Sequence, residues 1–218
     1  MVQDMDGHAY YPETVHTKLD MGDYEVVLQD YTTREGGPLE VAVIRGEESE
    51  TIKVLYEDWQ RDPSKVRLAE AGEIFCYDCF YVFDHGLVHT VVTDFYAMVD
   101  DEIHQVAGSW GDDPKSSTFI RDLDGDGINE LICNLTFSAD GGQSVRIYRW
   151  DGEQVLYDHG GYEAFVELDA EYAGYANYYY DGESDKIVVC GYKDEEYQEL
   201  PWEIDMSVLE FGEYTPGY

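Results

Sequence analysis

Stretches rich in Val, Ile, Tyr and Phe recur along the chain, and turn residues break them off at short intervals. "YEVVLQDYT", "LEVAVIRG", "ETIKVLYEDW", "SVRIYRWDGEQVLYD" and "MSVLEFGEY" show the texture. Branched and aromatic side chains suit a pleated, half-buried surface, so these segments predict strands. The expected fold is all-β: an antiparallel meander of hairpins, set as propeller-like blades or, alternatively, as a β-sandwich. With 218 residues, 44% of them apolar, the chain can bury a real core as a single β-rich domain over 1–218.

Two segments break the texture. In "RDPSKVRLAEAGE", Asp62 suits an N-cap, Pro63 the first helical position and Gly72 a stop, which predicts one short helix near 63–71. Its Arg61, Lys65 and Arg67 read as a solvated face. The polar stretch "GSWGDDPKSS", 108–117, has the composition of a long turn and marks the point where the domain could subdivide.

A weak repeat supports the hairpins. Tyr81-Val82-Phe83-Asp84, Tyr148-Arg149-Trp150-Asp151 and Tyr178-Tyr179-Tyr180-Asp181 each place two aromatics on one strand face, and a Gly follows. Asp-Gly is a hairpin signal because Gly accepts positive φ.

Charge narrows the partners. The 48 acidic against 13 basic side chains give a net charge of -35, which repels nucleic acid and anionic membrane surfaces. No apolar run reaches the roughly 18 residues that a bilayer span needs. Cations and neutral ligands fit better.

A cation site is legible in "IRDLDGDGINELICNLTF", 120–137. Counting Asp122 as position one, carboxylates fall at one, three and five (Asp122, Asp124, Asp126), Gly127 at six, the Ile128 carbonyl at seven and Glu130 at nine. Like charges so close repel unless a cation offsets them, and a tightly curled loop can turn alternate oxygens inward. Calcium takes six to eight oxygens in flexible geometry, whereas magnesium resists such dehydration. An EF-hand would need Glu at position twelve, where Cys133 stands, and helices on both sides. Here Leu131, Cys133, Leu135 and Phe137 alternate with Ile132, Asn134 and Thr136, the period of a half-buried strand.

The stretch from Phe119 to Trp150, with its acidic loop, its Gly turn "ADGGQS" and its strand "VRIYRWDG", resembles an FG-GAP or VCBS-type repeat. That repeat is the calcium-loop blade of integrin-like β-propellers. The resemblance covers 119–150 only. It implies that Asp122, Asp124, Asp126, the Ile128 carbonyl and Glu130 bind Ca2+ in a structural, non-catalytic role. Asp181, Glu183 and Asp185 form a degenerate echo in which Lys186 replaces the Gly, so no second ion is expected there.

Other motifs carry less. Cys76 and Cys79 lie in an aromatic β run where positions three apart face opposite sides, which argues against a bridge between them. Cys133 and Cys190 sit in strands, and their pairing is not readable. His85 and His89 could share a metal only if Gly86 turned the chain between them. "GYANYYYDG" and "EEYQELPWE" alternate aromatic and polar groups, as a surface for sugars or a protein partner would, though strands also favour Tyr for packing.

The leading expectation is a non-catalytic, calcium-stabilised binding or adhesion module with an aromatic surface for a protein or glycan. The alternative is a carbohydrate-active hydrolase using a carboxylate pair. The first twenty residues lack a basic start and an apolar h-region. Acidity and a calcium-type loop nonetheless point to an extracellular or cell-surface location, reached with a leader outside this sequence. A cytoplasmic location is the alternative.

Overall fold

A computed structural model describes residues 2–3, 9–10, 14–31, 38–55, 62–85, 91–111, 114–137, 142–152, 154–158, 177–193, 196–202, 204, 207, 209 and 211–214. Most of them form antiparallel strands. A short ribbon joins β1 (Val2–Gln3) to β2 (Ala9–Tyr10). The first sheet is β3 (Val15–Asp20), β4 (Glu25–Asp30), β5 (Leu39–Arg45) and β6 (Glu48–Leu55). The second is β7 (Val66–Ile74), β8 (Tyr77–His85), β9 (Val91–Val99) and β10 (Glu102–Trp110). The third is β11 (Thr118–Arg121), β12 (Glu130–Phe137), β13 (Gly142–Trp150) and β14 (Val155–Asp158). The fourth is β15 (Asn177–Asp181), β16 (Lys186–Lys193) and β17 (Glu196–Trp202), after which β18 (Phe211–Glu213) returns to pair with β14. Within each sheet, strands neighbour one another in chain order, as in a meander of hairpins.

The four sheets stack face to face in sequence. Val26, Leu28 and Val41 of the first sheet share a buried cluster with Leu68, Phe80 and Val82 of the second. Tyr81, Phe83 and Phe95, on the opposite face of the second sheet, share another with Leu131, Cys133 and Tyr148 of the third. Ile132 and Ile147 of the third sheet pack with Tyr180 of the fourth. The second and third sheets are therefore covered on both faces, a stacking compatible with blades or with a sandwich. It also corrects the expectation of a half-buried strand after the acidic loop, because Leu131, Ile132 and Cys133 are all fully buried.

The third and fourth sheets are also tied by polar contacts. The Asn134 carboxamide donates to the Tyr180 carbonyl at 3.0 Å and accepts from the Tyr180 amide at 2.7 Å. A side chain thus plays the part of a neighbouring strand, satisfying both backbone groups of a buried residue.

The expected helix near 63–71 is shorter than its sequence suggests. Asp62 caps it, accepting from the Ser64 amide at 3.0 Å, and Pro63 opens it, but it ends as a single 3-10 turn at Lys65. Val66–Ile74 is strand instead. Val66 and Leu68 are buried while Arg67 and Ala69 are half-buried, so the segment follows a period of two, and it pairs with β8 along its length. Arg67 is not on a solvated face either: its guanidinium lies 4.5 Å from the Phe83 ring centre.

Within 108–117, β10 runs to Trp110 and Pro114–Ser117 forms one helical turn, α1. One buried cluster spans the sheets on either side of this segment.

Turns follow the aromatic repeat, with one surprise. Gly152 has φ of +101°, as an Asp-Gly hairpin demands. Gly182 does not use positive φ; a Cβ there would come within 2.5 Å of Phe119 Cε1, so Gly is needed for close packing. Asp84-His85 ends β8, and Gly86 lies outside the described residues.

The turn between β7 and β8 consists of Phe75 and Cys76, with φ of +56° and +68°. Two positive values match the mirror-image turn that suits strand twist, but in non-Gly residues each costs about 1–3 kcal/mol. Phe75 has its ring fully buried between the second and third sheets, which offsets the cost.

Candidate metal centre

The acidic loop joins β11 to β12 as a strand–loop–strand hairpin closed by the Arg121–Glu130 pair. Asp122 organises it. Its Oδ1 accepts from the Gly125 amide at 2.8 Å and its Oδ2 from the Gly127 amide at 3.0 Å. Those contacts require the backbone to curl twice into the left-handed region, with φ of +78° at Gly125 and +90° at Gly127. Gly127 was the expected reversal; Gly125 is a second one. Asp124 Oδ1 accepts from the Asp126 amide at 3.2 Å, and Asp126 Oδ1 from the Ile128 amide at 2.7 Å.

Three of the expected ligands converge. Asp122, Asp124 and Glu130 each offer an oxygen within 4.8 Å of the others. That spacing fits oxygens shared by one ion at about 2.3–2.6 Å from each. Asp126 stands outside this triad and turns one oxygen back to the loop backbone. Ile128 is half-buried between the loop and β12.

Glu130 differs from its partners. It is 2% exposed, whereas Asp122 and Asp124 are exposed. Burial, and then the charges of Asp124 and Asp126, push its carboxyl up to about 7, although the Leu123 amide, 2.7 Å from Oε2, works in the other direction. Among the described residues, the ion pair to the loop comes from Arg149, whose Nη2 lies 3.9 Å from Asp124 Oδ2 and whose guanidinium sits 5.3 Å from the Phe211 ring centre. A single guanidinium leaves the four acidic groups of the loop short of positive charge. The donor set, all carboxylate oxygen around one buried member, fits a hard divalent ion.

This electrostatic arrangement predicts a pH dependence. A carboxyl raised in the fold contributes stability that is fully present below its unfolded value and lost as pH rises through the folded one. The metal-free protein should therefore melt higher as pH is lowered from about 7 towards 5. Thermal melts of Glu130→Gln should lack most of that gain; an identical pH slope in wild type and variant would show that Glu130 does not titrate in this way.

The loop is also braced from outside. The Asn129 carbonyl accepts from the Phe75 amide at 3.1 Å, and the Asn129 side chain donates to the Glu73 carbonyl at 3.3 Å. Neither this brace nor Arg149 is visible in the loop's own pattern.

The remaining motifs resolve simply. In the echo, Asp185 pairs with Arg121 at 3.0 Å and accepts from the Tyr180 hydroxyl at 2.5 Å, so a guanidinium already supplies positive charge to that turn. Asp181 accepts from the Ser184 hydroxyl and the Glu183 amide. All four cysteines are free thiols, with Cys76 exposed and Cys79, Cys133 and Cys190 buried. Burial pushes Cys79 and Cys133 up to about 12, away from reactive thiolate character. His85 ends β8, and His89 lies outside the described residues.

Much of the aromatic content is core. Tyr148, Tyr180, Phe75, Phe80 and Phe95 are among the largest fully buried side chains. In "GYANYYYDG", Tyr178 and Tyr180 are buried and Tyr179 is half-buried, while Tyr197 of β17 is exposed.

No known family, no curated protein and no solved structure matches this chain. Among the described residues, no helix is long and apolar enough to cross a membrane.

Proposed function

We propose that this chain is a non-catalytic binding or adhesion module stabilised by Ca2+ at residues 122–130, working at the cell surface or outside the cell. In this reading the segment 119–150 is an FG-GAP/VCBS-type repeat. Asp122, Asp124 and Glu130 supply the first oxygens, with Asp126 and the Ile128 carbonyl completing the set. The observation that carries it is the convergence of three carboxylates on a strand–loop–strand hairpin, one of them buried with its proton affinity raised. Bound there, the ion would neutralise the loop and pin two strands of one sheet. An extracellular setting supplies the millimolar calcium at which weak sites fill. The net charge of -35 leaves proteins, glycans and cations as partners rather than nucleic acid.

A hydrolase would want two carboxylates in one cleft. Each of three clefts lined by described residues carries at most one acidic side chain, Glu70 in one and Glu213 in another. No specific observation favours that reading.

Calorimetric titration of chelator-treated protein with CaCl2 tests the proposal. One ion should bind per chain, with Mg2+ binding more weakly; a titration without heat, accompanied by an unchanged melting curve, would remove it.

A further inference from the structure

One cleft differs from the rest of this acidic surface. It opens between the third and fourth sheets, holds about 240 Å³, and is lined by Ser116, Ser117, Asn134, Thr136, Gln143 and Tyr179, with Leu135 the aliphatic member. No charged side chain lines it, although 28% of the chain is charged. Its polar groups are hydroxyls and carboxamides, each able to donate and to accept, and its aromatic member is half-buried.

Rigidity comes from the seam between the sheets. Asn134 has both ends of its carboxamide on the Tyr180 backbone, which holds the wall next to Tyr179 in place. Gln143 is anchored at its backbone, where the amide donates to Asn177 Oδ1 at 2.9 Å, while its side chain is exposed. Fixed walls reduce the ordering that a ligand must overcome.

From this chemistry we infer that the cleft binds one neutral pyranose unit of a glycan. A sugar ring presents hydroxyls that donate and accept, matching Ser116, Thr136 and Gln143, and an apolar C–H face that suits the Tyr179 ring. Anionic ligands are disfavoured twice: the cleft offers them no cation, and the field of a chain at -35 repels them. The inference rests on the binding-module reading and names its ligand class and its place.

The test uses the full, calcium-loaded chain and saturation-transfer NMR with methyl α-glucopyranoside, methyl α-galactopyranoside and N-acetylglucosamine, and with glucuronate as the charged comparator. At least one neutral sugar should bind saturably with millimolar affinity, and Thr136→Val and Gln143→Ala should each weaken it by about tenfold. Gln143 is exposed, so its truncation leaves the fold intact. Glucuronate should bind less well than the neutral sugars. The inference is overturned if no neutral sugar binds, if both variants bind as wild type does, or if glucuronate binds equally well. Melting curves with and without calcium on the same samples separate the two ideas. A chain that gains stability from calcium yet ignores all the sugars keeps its metal site and loses this ligand assignment.

Discussion

Saturating calcium should raise the melting temperature of the metal-free protein by about 5–10 °C. At a hundredfold excess over its Kd, an ion that binds the native state alone adds about 2.7 kcal/mol, and a chain of this size gains roughly 2–4 °C per kcal/mol. Asp124→Asn should abolish the rise. The substitution keeps an acceptor for the Asp126 amide while removing one charge of the triad, so the metal-free protein should melt no lower than wild type. Asp122→Ala is a harsher change. It removes the acceptors of the Gly125 and Gly127 amides as well, so it should lower stability even without metal. Melting curves that coincide in calcium and in EDTA would reject the metal site; an Asp124→Asn protein that still responds to calcium would move it elsewhere.

Phe80→Ala should cost about 3–5 kcal/mol and lower the melting temperature by roughly 6–20 °C, with or without calcium. Phe80 is fully buried, its ring stacked on Tyr96 at 5.4 Å and tilted against Tyr24 at 6.3 Å. It lies on the face of the second sheet that packs on the first, so its removal opens a cavity at that junction. Tyr197→Ala is the control: that ring is 53% exposed, and its loss should change stability by no more than about 0.5 kcal/mol. Denaturant melts of both variants check this, and equal losses would contradict the stacked arrangement.

Local patterns carried the reading of strands and of the acidic loop, because both depend on neighbours in sequence. Strand texture comes from Val, Ile, Tyr and Phe one residue at a time, and the loop comes from three Asp at alternate positions with Gly between. What local patterns miss is pairing at a distance. Lys65, Leu68, Ala69, Glu70 and Ala71 are good helix formers, yet pairing with β8 and burial of Val66 and Leu68 against the first sheet override that preference. Alternation at 131–137 suggested one wet face, and the fourth sheet covers it. Arg149 reaches Asp124 from another strand, and Phe75 meets Asn129 from another sheet, so no spacing within the loop announces either contact.

The strained turn at Phe75 and Cys76 gives the acidic hairpin a wider reach than its own two strands. Its peptide amide hangs on the Asn129 carbonyl, one residue before Glu130, so whatever stiffens the loop also acts as a buttress for a bend in the adjoining sheet. A cation seated at 122–130 would in that way serve as a keystone, locking two layers of the stack together at a joint where neither layer could hold its shape as firmly alone.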